Sequence, residues 1–302
     1  MSDFLIKLEK AAGGAGNVRT GEPMKNHTTF RTGGPAAYFA APSCVRELSD
    51  TVKFCREEGM PHYILGNGSN LLVGDRGYSG VVISMEKFCE CTVTGDRIRA
   101  GAGIVLARIA RKALEASLTG FEFAAGIPGT FGGAVVMNAG AYGGEMKQIL
   151  QSVTVVNGAG EIENLDAEDL DLGYRHSNIL QRGYIVAGGE IRLKPGDQAL
   201  IKARMEELAA KRREKQPLEY PSAGSTFKRP EGYFAGKLIQ DAGLRGFQVG
   251  GAQVSEKHCG FVINRCHATS ADILELCRQI QQRVKKQSGV DLEMEVRCLG
   301  DF

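Results

Sequence analysis

The chain lacks the common nucleotide signatures. It has no Gly-x-x-x-x-Gly-Lys-Ser/Thr, which argues against a P-loop NTPase, and no Gly-x-Gly-x-x-Gly opening a helix, which argues against a Rossmann dinucleotide fold. No basic run is longer than Lys211-Arg212-Arg213, and the net charge is only +2, so an extended nucleic-acid surface is not expected. Eight cysteines, at positions 44, 55, 89, 91, 259, 266, 277 and 298, form no Cys-x-x-Cys pair. Cys259 and Cys266 lie near His258 and His267, but the spacing fits no zinc pattern. No charged-then-apolar leader is read at the start, so free thiols, a cytoplasmic location and no membrane insertion are expected. Neither an internal repeat nor a low-complexity tract is present.

What is present begins with Phe123 to Gly144, an uncharged run that holds seven glycines, a proline and an asparagine. A membrane helix could be uncharged, but Gly126, Gly129, Gly132, Gly133, Gly140, Gly143, Gly144 and Pro128 argue against a helix of that length. Dense glycine instead lets backbone N–H groups approach a flat or anionic ligand where a Cβ would collide. A second such element is Gly66-Asn67-Gly68-Ser69-Asn70, which follows the apolar Tyr63-Ile64-Leu65 and precedes Leu71-Leu72-Val73. Strand, glycine turn and strand form a geometry that seats phosphate on backbone amides.

The length suits two domains. Asp3 to Ala12 reads as a helix in an N-terminal arm of residues 1–24. Ser43 reads as the N-cap of a helix ending at Gly59. Hairpins are expected around Gly95-Asp96 and Gly158-Ala159-Gly160, and an amphipathic helix over Ile104 to Ala116. A charged helix over Ala199 to Lys215 ends at Pro217, and the composition shifts there. Helices are then expected near Phe234 to Asp241 and Ala271 to Gln287, with strands near Gly260 to Asn264 and Leu292 to Leu299. Mixed helices and hairpins indicate an α+β fold, with a first domain of residues 25–198 in two subdomains and a second of residues 199–302.

Four motifs occur in one order: His27-Thr28-Thr29-Phe30-Arg31-Thr32-Gly33-Gly34, Leu65 to Leu72, Gly126 to Gly133 and Asn138 to Gly143. Gly173-Tyr174-Arg175, Ser222 to Pro230 and Glu295-Val296-Arg297 follow. Together they resemble the UDP-N-acetylenolpyruvoylglucosamine reductase (MurB) flavoproteins of peptidoglycan synthesis, from about residue 25 to 299.

The resemblance implies an FAD-binding domain of the vanillyl-alcohol-oxidase (PCMH) type followed by a smaller α+β substrate domain. It also implies NADPH-dependent reduction, through non-covalent FAD, of the enolpyruvyl ether of UDP-N-acetylglucosamine enolpyruvate to UDP-N-acetylmuramate. By motif it puts the catalytic roles on Arg175, Ser225 and Glu295. FAD contacts fall on Gly66, Asn67, Gly68, Ser69, Asn70, Gly126, Pro128, Gly129, Thr130, Gly132, Gly133, Asn138, Gly140, Ala141 and Tyr142. Substrate contacts fall on Tyr174, Lys215, Lys228, Arg229 and His258.

Each catalytic residue type suits the chemistry. Hydride addition to the methylene carbon leaves an enolate, which an arginine fork can stabilise. A serine hydroxyl can protonate so strong a base when nearby cations ease the charge left behind. A carboxyl group helps only in its protonated form, since a charged one would oppose the enolate. His176 and Met294 depart from residues frequent in the family at those positions. The short interval from Arg175 to Ser225 leaves no room for the tyrosine-bearing loop that some members fold over the substrate. A flavin-dependent oxidase of the same fold and a non-catalytic UDP-sugar-binding protein remain as alternative readings.

Overall fold

The computed structural model describes residues 3–302 as two compact units, neither of which is one continuous piece of chain. The first holds the described residues up to Thr20, then Tyr38–Asn67 and Gly80–Arg212; the second holds Gly21–Ala37, Gly68–Ser79 and Arg213–Phe302. This corrects the contiguous division at residues 24 and 198. The reason is strand pairing: Leu71–Val73 runs parallel to Arg297–Leu299, with Leu71 opposite Arg297. Phe30 and Leu72, both fully buried, belong to the same core as Ile239, Leu276 and Ile280.

In the first unit, helix α1 (Asp3–Ala11) packs on α2 (Val45–Glu57). Leu8 is fully buried, and the Phe4 ring lies 4.7 Å from that of Tyr38 and 5.0 Å from that of Phe54. Helix α1 of the expected arm therefore packs on the core, and full burial of a side chain such as Leu8 contributes about 1.5–3 kcal/mol. Met1 and Ser2 of that arm lie outside the described residues. The expected cap of α2 moves by one residue: Cys44 holds the N-cap position, and the Ser43 N–H donates to Glu47 Oε2 at 2.6 Å.

The five-stranded sheet of this unit is antiparallel throughout, in the order Ile162–Asp166, Leu150–Val156, Ile185–Arg192, Arg97–Gly101, Cys91–Thr94. Both expected hairpins are in it, turning at Gly95 (φ 59°) and Gly160 (φ 79°). Helix α3 (Leu106–Glu115) buries Leu106, Ile109, Ala110 and Ala113, the 3–4 spacing of one helical face. His62–Leu65 pairs in parallel with the end of Tyr78–Ser84, delivering the chain to Gly66.

One element was not legible. Phe131–Val136, inside the glycine-rich run, forms the short helix α4. A Cβ on Gly132 would lie 2.8 Å from the Ala102 Cβ, so this glycine serves close packing. The charged helix α5 (Gln198–Lys215) then leads out of the first unit.

The second unit contains α6 (Ala235–Asp241), α7 (Ser270–Ser288) and an antiparallel sheet of Gln248–Val249, Ala252–Val254 and Val262–Asn264. Thr269 and Asp272 form a capping box at the start of α7, and Gly289 (φ 73°) ends it. The Asp75 carboxylate accepts from the Ser270 and Ala271 N–H groups, each at 2.8 Å. Among the described residues no helix is long and apolar enough to cross a membrane. No group of three or more His, Cys, Asp or Glu among them could hold a metal ion.

Candidate active site

The first unit brings the two uncharged glycine segments together. Asn67 Nδ2 donates to the Pro128 carbonyl at 2.7 Å, and a Cβ on Gly66 would stand 2.5 Å from Thr130 Oγ1. Gly66, Asn67, Gly126, Pro128 and Gly133 are exposed there, while Thr130 is buried. The next segment bends sharply: Asn138, Tyr142 and Gly143 all adopt positive φ, at 41°, 53° and 87°. Gly140 and Ala141 pair with Glu145 and Gly144 in a small hairpin. Asn138 spends its side chain within the protein, donating to Glu145 Oε2 and the Gly173 carbonyl (3.0 Å each) and accepting from the Lys147 N–H (2.8 Å).

Sequence reasoning missed Arg212 here. Its side chain lies against Gly126, where a Cβ would be 3.2 Å from Arg212 Cδ. Burial lowers its pKa, and Tyr142 is the one group that raises it. No hydrogen bond or ion pair with the described protein engages this guanidinium. Its position in an ordinary charged helix concealed it; the only signal was that this helix ends beside a motif.

Asn138 also supports the turn that carries Arg175. Gly173 and His176 exchange backbone hydrogen bonds at 3.1 and 3.2 Å, closing a turn over Tyr174 and Arg175. Arg175 takes φ 52°, a conformation uncommon outside glycine and asparagine. Its guanidinium lies 5.3 Å from the centre of the Tyr174 ring, which is 61% exposed. His176 Nε2 lies 3.1 Å from Asp171 Oδ2, across the base of the turn.

The second unit places Ser225 and Glu295 on neighbouring segments. The Glu295 N–H donates to the Thr226 carbonyl (2.9 Å), the Lys228 N–H to the Glu293 carbonyl (2.9 Å), and Phe227 faces Met294 in an antiparallel bridge. Gly224 (φ 76°) turns the chain into this bridge, leaving Ser225 exposed and Thr226 buried. Thr226 Oγ1 accepts from the Val262 N–H at 2.9 Å, and the Thr226 N–H donates to the Gly260 carbonyl at 2.9 Å. The expected strand over Leu292 to Leu299 shortens to Arg297–Leu299. Its alternation survives: Leu292 and Val296 are buried, Glu293 is exposed and Glu295 is half-buried.

The turn's remaining residues, Gly68, Ser69 and Asn70, belong to this unit. Gly68 (φ 59°) leaves no room for a Cβ beside the His27 carbonyl, and its own carbonyl accepts from the Thr29 N–H at 3.2 Å. That gives the His27–Gly34 motif its local purpose.

Of the expected substrate contacts, Lys215 is exposed, Lys228 is ion-paired with Glu293, and the Arg229 guanidinium stacks on Phe234. His258 is half-buried against Gly236 and packs edge-on to Phe261. Its Nδ1 accepts from the Gly260 N–H at 3.0 Å, and burial lowers its pKa.

Residues 36–166 match the FAD binding domain family, and residues 216–299 match the C-terminal domain of UDP-N-acetylenolpyruvoylglucosamine reductase. The chain is 56% identical over 294 residues to the Agathobacter rectalis protein named UDP-N-acetylenolpyruvoylglucosamine reductase, covering 93% of each. It belongs to that family. The crystal structure of the Thermus caldophilus reductase is 36% identical and matches with a TM-score of 0.80, covering 94% of this chain and 98% of that one. A grass-pollen glucose dehydrogenase, Phl p 4, is 16% identical, with a TM-score of 0.52 over 65% of this chain and 45% of its own. That match shares the fold alone.

Proposed function

We propose that the protein reduces UDP-N-acetylglucosamine enolpyruvate to UDP-N-acetylmuramate with NADPH, in the synthesis of peptidoglycan precursors in the cytoplasm. The single observation that carries the reading is family membership over nearly the whole length, joined to the presence of Arg175, Ser225 and Glu295 in their motifs.

The residues present suit FAD. Arg212 offers a half-buried positive charge with no ion-pair partner among the described residues, beside glycine segments that carry no charge of either sign. In the first unit Gly66, Asn67, Gly126, Pro128, Gly129, Thr130, Gly132, Gly133, Gly140, Ala141, Tyr142 and Arg212 are the residues that hold it. Gly68, Ser69 and Asn70 complete the turn that Gly66 begins. No His or Cys occurs in Gly66–Asn70 or Phe123–Gly144, which favours non-covalent attachment. When bound there, FAD would supply the hydride chemistry that links NADPH to the enolpyruvyl methylene carbon.

Arg175 holds the substrate carboxylate and the developing enolate through a two-pronged cation. The Gly173–His176 closure sets the backbone from which the fork extends. Ser225 Oγ donates the proton that completes the reduction at the adjacent carbon. Glu295, in its protonated form, donates a hydrogen bond to the enolate, a role its half-buried position allows. Lys215, Lys228, Arg229, Tyr174 and His258 are the expected contacts for the remaining polar parts of the substrate.

Acid precipitation tests the reading. The purified protein should show flavin absorption bands that pass into the supernatant, and NADPH should bleach them. Flavin retained in the pellet would indicate a covalent oxidase; no flavin even after adding FAD would leave a UDP-sugar-binding protein.

A further inference from the structure

Residues 229–234 present two consecutive aromatic side chains to solvent: Tyr233 is 48% and Phe234 61% exposed. The loop is tightly made. The Tyr233 N–H donates to the Pro230 carbonyl at 3.1 Å, Gly232 takes φ 74°, and Arg229 Nε donates to the Tyr233 carbonyl at 3.2 Å. The Arg229 guanidinium carbon sits 3.9 Å above the centre of the Phe234 ring.

Neither core packing nor helix formation calls for an aromatic side chain here. Phe234 occupies the N-cap position of α6, where a serine, threonine or aspartate would satisfy an N–H group, and it makes no side-chain cap bond. Immediately before the loop, Lys228 is tied to Glu293 both by its backbone N–H and by an ion pair. That pairing belongs to the same bridge that carries Ser225 and Glu295. The aromatic pair is thus held a few residues from the proposed proton donor, within one unit.

A guanidinium stacked on one side of a phenyl ring fixes its orientation and leaves its other side as a flat platform. Such platforms take heteroaromatic bases regardless of their identity, because every base has a π-face. The Arg229 charge selects among flat ligands for an anionic one.

We propose that the loop Arg229–Phe234 receives the base of a nucleoside diphosphate, with Phe234 stacking on the base and Arg229 bracing the ring from behind. The inference rests on the reductase reading above. It gives this chain, which lacks the tyrosine-bearing insertion, its own means of covering a bound nucleotide. The uracil of the UDP-sugar and the bases of NADPH share the chemistry, and two arms of one experiment separate them.

The experiment uses the FAD-loaded protein and its Phe234→Ala and Phe234→Trp variants. UDP, then UDP-N-acetylglucosamine enolpyruvate, is titrated against the oxidised flavin spectrum; NADPH is titrated by the rate of anaerobic flavin bleaching. With uracil as occupant, Phe234→Ala weakens binding of UDP and substrate by roughly tenfold or more, Phe234→Trp restores it, and half-saturation by NADPH is unmoved. With an NADPH base as occupant, half-saturation by NADPH shifts instead, again with rescue by tryptophan. Unchanged binding in both arms, or a loss that Phe234→Trp does not restore, overturns the proposal. Wild-type bleaching by NADPH and reoxidation by substrate keep the parent reading intact whatever Phe234 does. Their failure in the wild type would overturn both.

Discussion

Asn70 and Glu295 are 225 residues apart in sequence, yet Asn70 Nδ2 donates to the Glu295 carbonyl at 3.1 Å. The Arg297 N–H returns to the Asn70 carbonyl at 3.1 Å, and the strands Leu71–Val73 and Arg297–Leu299 continue the pairing in parallel. The last residue of the glycine turn is thereby bolted to the segment that carries the proposed catalytic carboxyl group.

Asn70→Ala removes one side-chain hydrogen bond and loosens that attachment. The expected cost in stability is about 1 kcal/mol. Product formation should slow more than flavin reduction by NADPH, because the displaced group is Glu295. Thermal denaturation and stopped-flow measurement of the two half-reactions check both parts; equal slowing of the two would show that the bond serves the fold alone.

Arg212→Ala removes the half-buried cation beside Gly126. The dissociation constant for FAD is expected to rise by roughly 10- to 100-fold, the scale of a hydrogen bond to a charged group. Flavin retained through gel filtration and fluorescence titration of the apoprotein both read this without turnover. Arg212→Lys should recover only part of the loss, since it keeps the charge but not the planar fork.

Much of this was legible beforehand, for reasons visible at particular residues. The hairpin at Gly95-Asp96 and the face Leu106, Ile109, Ala110 and Ala113 follow from local turn chemistry and helical periodicity. The roles proposed for Ser225, Arg175 and Glu295 rest on motifs that keep their residue order. Other features depend on tertiary packing. Helix α4 sets Gly132 closely against Ala102, a tertiary contact that no local propensity reveals. The segment Gly68–Ser79 belongs with the C-terminal residues through parallel pairing to Arg297–Leu299, and such pairing leaves no short-range signal. Arg212 looked like one more cation on a charged helix until the fold set it against Gly126.

Ser225→Ala should leave flavin reduction by NADPH nearly intact while product formation falls by about 10²–10⁴-fold, the usual worth of a positioned proton donor. Arg175→Lys retains charge without the fork and should slow the second half-reaction by roughly tenfold or more. Equal loss in both half-reactions for Ser225→Ala, or near-normal turnover for Arg175→Lys, would remove the residue concerned from the mechanism.

Stability should fall as pH drops below about 6.5. Burial lowers the pKa of both His62 and His258 from 6.5, so between the folded and unfolded values the unfolded chain binds more protons. The stabilisation is therefore full above the unfolded pKa and is lost as pH falls through the folded one. Asp96, Glu190 and Asp272 also titrate below their ordinary values, but their losses begin only near pH 4. Melting temperatures between pH 7.5 and 5.5 isolate the histidines. His62→Gln and His258→Gln should each flatten that slope, whereas an unchanged slope in both would assign it elsewhere.

The most direct test is anaerobic reoxidation. The protein is bleached with one equivalent of NADPH in the absence of oxygen and then mixed with UDP-N-acetylglucosamine enolpyruvate. Rapid return of the oxidised flavin spectrum is expected, with one UDP-N-acetylmuramate formed per flavin. A spectrum that stays bleached with this substrate, yet returns at once when oxygen is admitted, would contradict it.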